Sequence, residues 1–521
     1  MFVDFILLII REKCGCLLFQ GNHIFAGMVQ RCTLIIALLI LLCPPVNAAY
    51  YYDYNEQCHK AYSHYMALQF REGNAAIIEE IRNNPENLMA TYIADYADCM
   101  LLLFNGDRKD YEKLHFHLNS RLGKLDKGDP SSPWYRLCKA GIYMHWAFIY
   151  IRLGENFKAA ATFRKSYILL KENKKRFPDF EYNDIFFGLE EAVVGTVPDD
   201  YKWIASIFGL KGNVKKGVSK LSHFINTHNQ QSPLYYDAVI YHTYLSFYLM
   251  SEQESVWQYV NSTKFPAENN LLFSFIKTNI ALNYRKTDAA IQVLNKMQQM
   301  QGYSSIPAFE YEMGSALYYK LDDNAMQHFE KFQNSYKGEI FVKDAYSKMA
   351  NIAYLNGNRK LAQYYLDKIK TNGSTDVDAD RKAARFAENN VWPSPVLLQA
   401  SLLIDGGYYK EALQLLSSRK ESEFGSVADK AEYNLRMGRI YDELANDDKA
   451  LQYYNRTIAI GNNAKEYFAA RAALQSAFIY EKRGDRVQAV AFYQKCIDMP
   501  VQDYKNAIKQ QAKAGMNRLG F

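Results

Sequence analysis

Residues 470–496 read ARAALQSAFIYEKRGDRVQAVAFYQKC, and Ala477, Tyr480, Gly484, Ala489, Tyr493 and Cys496 stand there at intervals that return elsewhere in the chain. The same frame fits 431–457 through Gly438, Tyr441, Ala450, Tyr454 and Thr457. It also fits 140–166 through Tyr143, Ala147, Tyr150, Gly154, Ala159, Phe163 and Ser166. Partial matches occur at Ala350, Gly357 and Ala362, at Ala400, Gly407 and Ala412, and, one residue short, at Gly314, Ala325, Phe329 and Phe332. A period of this length constrains the fold more than any single motif. One unit cannot bury its apolar side alone and must stack on its neighbours. The spacing describes two antiparallel helices: small residues let the axes approach, aromatics fill the space on either side, and a glycine permits the tight turn between them. Turn signals such as Asn105-Gly106-Asp107, Gly154-Glu155-Asn156, Gly357-Asn358, Asp405-Gly406-Gly407 and Gly484-Asp485 fall where those turns are needed. No alternating β-branched run competes. The expected fold is all-α, a solenoid of helical hairpins wound into an α-α superhelix.

These offsets resemble the tetratricopeptide repeat. At about 34 residues per unit, the chain after its leader has room for roughly 13 or 14 helix pairs, of which about half are visible and the rest must be degenerate. We divide it into residues 1–48, an N-terminal helical repeat region at 49–225 and a C-terminal repeat array at 226–521. The tyrosine excess, 41 of 521 residues, follows from the repeat: Tyr143, Tyr150, Tyr441, Tyr454, Tyr480 and Tyr493 take packing positions, with the ring buried and the hydroxyl free to reach a polar partner. Tyr50, Tyr51, Tyr52 and Tyr54 occupy no repeat position, and packing on the first helices is favoured over ligand recognition.

The N-terminal stretch reads as targeting. From Met28 come Arg31, an apolar run from Leu34 to Cys43, Pro44-Pro45 and the small-residue site Val46-Asn47-Ala48. That is the layout of a secretory signal peptide, and the run is too short for an ordinary membrane span. A mature start near Ala49 is expected, with residues 1–27 an upstream extension. After Ala48 no 18-residue uncharged apolar stretch follows, so the mature body should not span a membrane. If the source is bacterial, a periplasmic or outer-membrane-associated location follows. Cys58, Cys99, Cys138 and Cys496 are too sparse for a disulfide framework and read as buried thiols.

Net charge is +6 with no Lys/Arg run of five or more, so nucleic acid is not an expected partner. One segment departs from the repeat: residues 186–221 crowd Gly188, Gly195, Gly209, Gly212 and Gly217 together, with Pro198, Asp199 and Asp200 opening a helix. Phe187-Gly188, Val197-Pro198 and Phe208-Gly209-x-x-Gly212-Asn213-x4-Gly217-x3-Leu221 resemble the central signature of the inclusion-body clearance family of tetratricopeptide proteins. The resemblance covers some 35 to 40 residues and implies an all-helical fold acting as a binding or adaptor protein.

Catalytic motifs are missing: no HExxH, GxSxG, P-loop or GxGxxG after a strand. His115/His117 and His59/His64 are spaced to point apart on a helix, and the adjacent pairs Glu190-Glu191 and Asp199-Asp200 read as solvated or helix-terminal charges. We expect no enzyme activity, no cofactor and no metal. The repeat frame places Asn351, Tyr354, Arg439, Asp442, Arg471, Phe478 and Glu481 on the concave face, as candidate contacts for a protein or peptide partner. Leu435 and Leu474 stand where a carboxylate clamp needs a basic group, which disfavours acidic C-terminal peptides. The leading function is a non-catalytic interaction scaffold of the cell envelope. The alternative is a repeat protein that binds a small ligand, lipid or glycan, or carries a hydrolase activity, through the 186–221 segment.

Overall fold

A computed structural model of the chain describes residues 49–196, 212–250, 252–461, 466–500 and 505–521. The fold is the all-α solenoid of tetratricopeptide-like hairpins that the repeat demands. Among the described residues no strand occurs, and one isolated bridge joins Tyr51 to Asn87. The N-terminal part carries α1 (Glu56–Tyr65), α2 (Phe70–Asn83), α3 (Leu88–Ile93), α4 (Asp95–Asn105), α5 (Arg108–Leu114), α6 (Phe116–Leu125), α7 (Pro133–Arg152), α8 (Asn156–Arg176) and α9 (Asn183–Gly195). Then follow α10 (Val214–Thr227), α11 (Tyr235–Leu249), α12 (Gln253–Val260), α13 (Leu271–Asn283), α14 (Thr287–Met297), α15 (Ala308–Tyr319), α16 (Ala325–Ser335), α17 (Val342–Leu355) and α18 (Arg359–Thr371). The last stretch holds α19 (Asp378–Asn389), α20 (Pro395–Gly406), α21 (Tyr409–Ser417), α22 (Val427–Glu443), α23 (Asp447–Gly461), α24 (Phe468–Lys482), α25 (Arg486–Asp498) and α26 (Lys505–Arg518).

The hairpin turns share one closure. After the glycine in the left-handed region, the next N–H donates to the carbonyl five residues back: Glu155 to Tyr150 at 2.8 Å, Asn358 to Ala353 at 2.9 Å, Tyr408 to Leu403 at 2.8 Å and Asp485 to Tyr480 at 2.9 Å. Three more turns close identically without glycine: Lys286 to Ala281 at 2.8 Å, Asp322 to Leu317 at 2.9 Å and Asn446 to Tyr441 at 2.8 Å. There Arg285, Leu321 and Ala445 adopt φ of 56°, 60° and 58°, at a cost of roughly 1–2 kcal/mol each. The α13–α14 hairpin therefore belongs to the array although its turn residue hides it. Its Thr278, Ala290, Leu294 and Met297 fill the interior positions, all fully buried.

Interiors follow the expected logic with one refinement. The small residue of the first helix lies beneath the aromatic of the second: a Cβ on Gly438 would sit 2.5 Å from the Tyr454 ring, and one on Gly314 would sit 2.9 Å from Phe329. Successive units are stitched by polar contacts one repeat apart, such as Asn351 to the Tyr318 hydroxyl (2.9 Å), Asn356 to Asp323 (2.8 Å) and Arg456 to Glu421 (2.7 and 2.9 Å). The winding is tight enough that distant turns meet. Arg285 pairs with Glu443, Tyr408 donates to Asp288 at 2.9 Å, and the Arg285 carbonyl occupies the space a Gly407 side chain would need.

One apolar cluster runs without interruption from Cys58 to Ala316, across the 225/226 division. Its polar centre is Asp237 on α11, which accepts hydrogen bonds from the Tyr62 and Tyr96 hydroxyls, each at 2.8 Å, and so ties α1 and α4 to a helix more than 140 residues later. The N-terminal tyrosines pack as favoured above. Tyr54 meets Tyr62 edge-on, Tyr52 lies against Gly128, Lys127 stands over the Tyr50 ring, and Tyr51 alone stays largely exposed. Cys58, Cys99, Cys138 and Cys496 are buried free thiols, and burial pushes Cys58 up to about 12 and Cys496 to about 11.

Asp380 on α19 caps α17 from outside, accepting the N–H groups of Phe341 (2.6 Å) and Asp344 (2.9 Å). Burial, reinforced by the neighbouring Asp344 carboxylate and opposed by the two N–H donors and Lys348, raises its carboxyl to about 7. The folded state thus holds a proton that the unfolded chain releases near pH 4. The stabilisation is complete below about pH 4 and is lost as pH rises through about 7. At about 1.4 kcal/mol for each pH unit separating the folded and unfolded values, Asp380 removes a few kcal/mol from the stability of the 342–389 region between about pH 4 and pH 8. Denaturant titrations at several pH values should show that slope, and Asp380→Asn should flatten it; a wild-type slope retained in the variant assigns it to other groups.

Candidate interaction face

α20, α22 and α24 are the first helices of three successive hairpins, and the repeat turns the same side of each toward the next. Asp405 near the end of α20 receives Arg439 of α22 at 3.2 Å, a separation of 34 residues that equals one repeat. Four residues from Arg439, Glu443 pairs with Arg285 from the turn after α13. Arg436 on α22 is buried and held by Glu432 one turn before it. Arg471 on α24 completes the group but differs from it. Its guanidinium donates only to the Gln511 side-chain oxygen, at 3.3 Å, and no carboxylate pairs with it among the described residues. Burial, then the like charges of Arg439 and Arg285, push it below its ordinary value.

The remaining candidates divide by what they touch. Asp442 accepts the Tyr454 hydroxyl at 3.1 Å, and burial raises its carboxyl. Glu481 is held low by Arg518, which binds it at 2.8 and 2.9 Å, and it also accepts from Tyr493. Phe478 meets the Tyr493 ring edge-on at 5.8 Å. These three serve the joints of the last hairpins and the closing helix α26. Asn351 is engaged with Tyr318. Tyr354 is buried, stacked on Trp392 at 4.5 Å, covered by Arg359 at 4.1 Å, and bonded through its hydroxyl to the Pro393 carbonyl at 2.9 Å. It anchors the connection into α20. The structure therefore brings Arg439 and Arg471 to one face, while Asn351 and Tyr354 lie in an earlier unit. Asp405, Arg285, Glu443 and Gln511 join that face, and the repeat frame alone does not select them. For Asp405 the signal was available, since it precedes Arg439 by one repeat.

In the described part of the glycine-rich segment, α9 crosses α10. A Cβ on Gly188 of α9 would lie 2.8 Å from the Gly217 carbonyl of α10, one on Gly217 would meet the Gly188 carbonyl and Ala192, and one on Gly195 would lie 2.7 Å from the Val214 nitrogen. The two backbones touch, which only glycine allows. Asn213 caps α10 by accepting the Lys216 N–H at 3.0 Å. Pro198, Asp199, Asp200, Phe208 and Gly209 lie outside the described residues. Glu190 corrects an expectation: it is fully buried, and burial holds its carboxyl well above the usual range, whereas Glu191 pairs with Lys220. The histidine pairs bind protein groups: His117 meets Asp98 at 2.7 Å and His115 the Glu112 carbonyl at 2.8 Å. Among the described residues no three metal-ligating side chains converge, and no helix is long and apolar enough to cross a membrane.

Comparison with known proteins places a tetratricopeptide repeat at residues 471–499, the α24–α25 hairpin. No curated protein matches. Similar solved structures include the APC/C hetero-tetramer Cut9–Hcn1, at 13% identity over 89% of this chain and 95% of that one with a TM-score of 0.25. The P58(IPK) TPR domain is similar at 13% identity over 78% and 97%, TM-score 0.21, and the yeast Tom70 at 12% over 88% of each chain, TM-score 0.22. The hairpins define the class: a protein built on tetratricopeptide-like repeats. The matched repeat is one of the two whose sequence carries every frame residue, the other being 140–166.

Proposed function

We propose that this chain is a non-catalytic protein–protein interaction scaffold of the cell envelope, exported behind a signal peptide that ends at Ala48. Its partner seats on the face shared by α20, α22 and α24. The observation that carries this is Arg471, half-buried and without a carboxylate partner among the described residues, where Arg285, Arg436 and Arg439 are each neutralised within the protein. A partner that supplies one acidic or carbonyl acceptor there satisfies a charge the fold leaves open. A carboxylate clamp is not the mode, because the neighbouring arginines are already paired and Leu435 and Leu474 are buried. The central resemblance to the inclusion-body clearance family belongs to the same proposal, supported by the glycine crossing of α9 and α10.

Affinity purification from the native host, with envelope fractionation, tests compartment and partner together. Arg471→Glu should lower recovery of the partner by at least about tenfold, the loss expected for one desolvated charge contact, while leaving the melting temperature of the chain unchanged. Equal recovery with wild type and variant sinks the assignment to this face.

A further inference from the structure

The second helix of a hairpin, α8, carries a feature that the net charge conceals. Asn156–Arg176 contains seven basic residues and one acidic residue, so this helix alone has the +6 of the entire chain. Basic residues in its last turn suit the helix dipole, but the charge is not confined there. Among its exposed positions, Phe157, Ala161, Arg164, Ile168, Lys171 and Lys175 are spaced by four and three residues along one unbroken stripe. Lys165 flanks it, as does Lys158, which is paired with Glu155 at 3.1 Å. Phe157 is 70% exposed and Ile168 46%, two of the few large apolar side chains left in water. Lys171 and Lys175 form no ion pair among the described residues, and Lys165 only covers the Tyr143 ring at 5.3 Å. The opposite side of α8 packs on α7, through Ala159, Thr162, Ser166, Tyr167, Leu170 and Asn173.

We propose that this face of α8 docks on an anionic phospholipid bilayer. The helix is about 30 Å long, and its exposed stripe runs along one face for most of that length. A planar array of phosphate headgroups matches a row of cations spread along a helix, and the bilayer boundary accepts Phe157 and Ile168 while the lysines stay at headgroup level. Charge complementarity thus selects an anionic partner, and the two apolar anchors select a lipid surface over a nucleic acid. The attachment is peripheral and independent of the partner-binding face.

The test uses residues 49–521, which include every described residue and exclude the apolar stretch at 34–43 that would bind lipid by itself. Flotation is measured with phosphatidylglycerol–phosphatidylcholine vesicles and with phosphatidylcholine vesicles. The chain should bind the former, more weakly as salt rises, and not the latter. Lys165→Glu/Lys171→Glu/Lys175→Glu should weaken binding by roughly 100-fold or more, at about one order of magnitude or slightly less per lysine. Phe157→Ser/Ile168→Ser should weaken it by about tenfold. Lys360→Glu/Lys410→Glu/Lys513→Glu makes the same change in net charge on exposed residues elsewhere and should keep binding within about threefold. All three variants should melt with wild type, since the substituted positions are exposed. Absence of binding to anionic vesicles overturns the proposal, as does equal loss in the two charge-reversed variants, or nucleic-acid binding by α8 without vesicle binding.

Discussion

Asp95→Ala is expected to lower stability by about 3–5 kcal/mol, the cost of breaking a buried ion pair by removing one partner. Asp95 is completely buried at the start of α4. It accepts from Arg121 of α6 at 2.7 Å and from His145 and Trp146 of α7 at 2.8 and 3.2 Å. Burial acts to raise the carboxyl, but His145 and Arg121 outweigh it and hold it below its usual value. Alanine strands the His145 ring, 2% exposed, whose other nitrogen has no partner among the described residues, and leaves Arg121 with Asp98 as its one carboxylate there, beside the Ala94 carbonyl. Three helices lose their common acceptor at once. Trp146 reports directly, so the denaturant midpoint read by tryptophan fluorescence should fall steeply. Asp95→Asn, which keeps an acceptor but not the charge, should fall by less. Because the folded carboxyl is depressed, the Asp95 contribution is present above about pH 4 and disappears as pH drops below it, so wild type and Asp95→Ala should converge in acid. A midpoint for Asp95→Ala within error of wild type would show that α6 and α7 are held by packing alone.

That network also shows what the sequence conceals. The repeat frame locates a unit when its small residues, aromatics and glycine are all present, as at Ala477, Tyr480, Gly484, Ala489 and Tyr493. It overlooks α13–α14 because Arg285 adopts the left-handed turn that glycine usually supplies, and tertiary packing outweighs the local cost. Asp95, Arg121 and His145 lie 24 to 50 residues apart, and Asp237 reaches Tyr62 and Tyr96 across more than 140; no local spacing announces these meetings, which are a property of the stacking. The interaction face was half legible. Arg439 and Arg471 follow from the frame, and Asp405 precedes Arg439 by one repeat, but Arg285 arrives only because the superhelix closes on itself. The basic stripe of α8 escaped for a simpler reason: cations at helical spacing form no run in the linear sequence, and the rest of the chain cancels them in the net charge.

Gly217→Val should be severely damaging, costing about 3 kcal/mol, the upper end for an overpacked interior site. At this crossing the atoms a side chain would strike are the Gly188 carbonyl and the Ala192 amide of α9, both backbone, which cannot rotate away as a side chain can. The α9 and α10 axes must separate, and the cavity they open lies beside Leu189, Val193, Val218 and Leu221, all buried in the main cluster. Gly484→Ala provides the contrast. Its φ of 76° penalises a side chain, but nothing lies within 4 Å of the new methyl, so only the conformational term of about 1 kcal/mol applies. Comparing the two by chemical denaturation separates a glycine needed for contact from one needed for its turn. The difference bears on the proposed resemblance to the inclusion-body clearance family, which counts Gly188 and Gly217 among the residues that carry it. If Gly217→Val costs no more than Gly484→Ala, α9 and α10 are not in backbone contact, and the physical reason offered for that signature is removed.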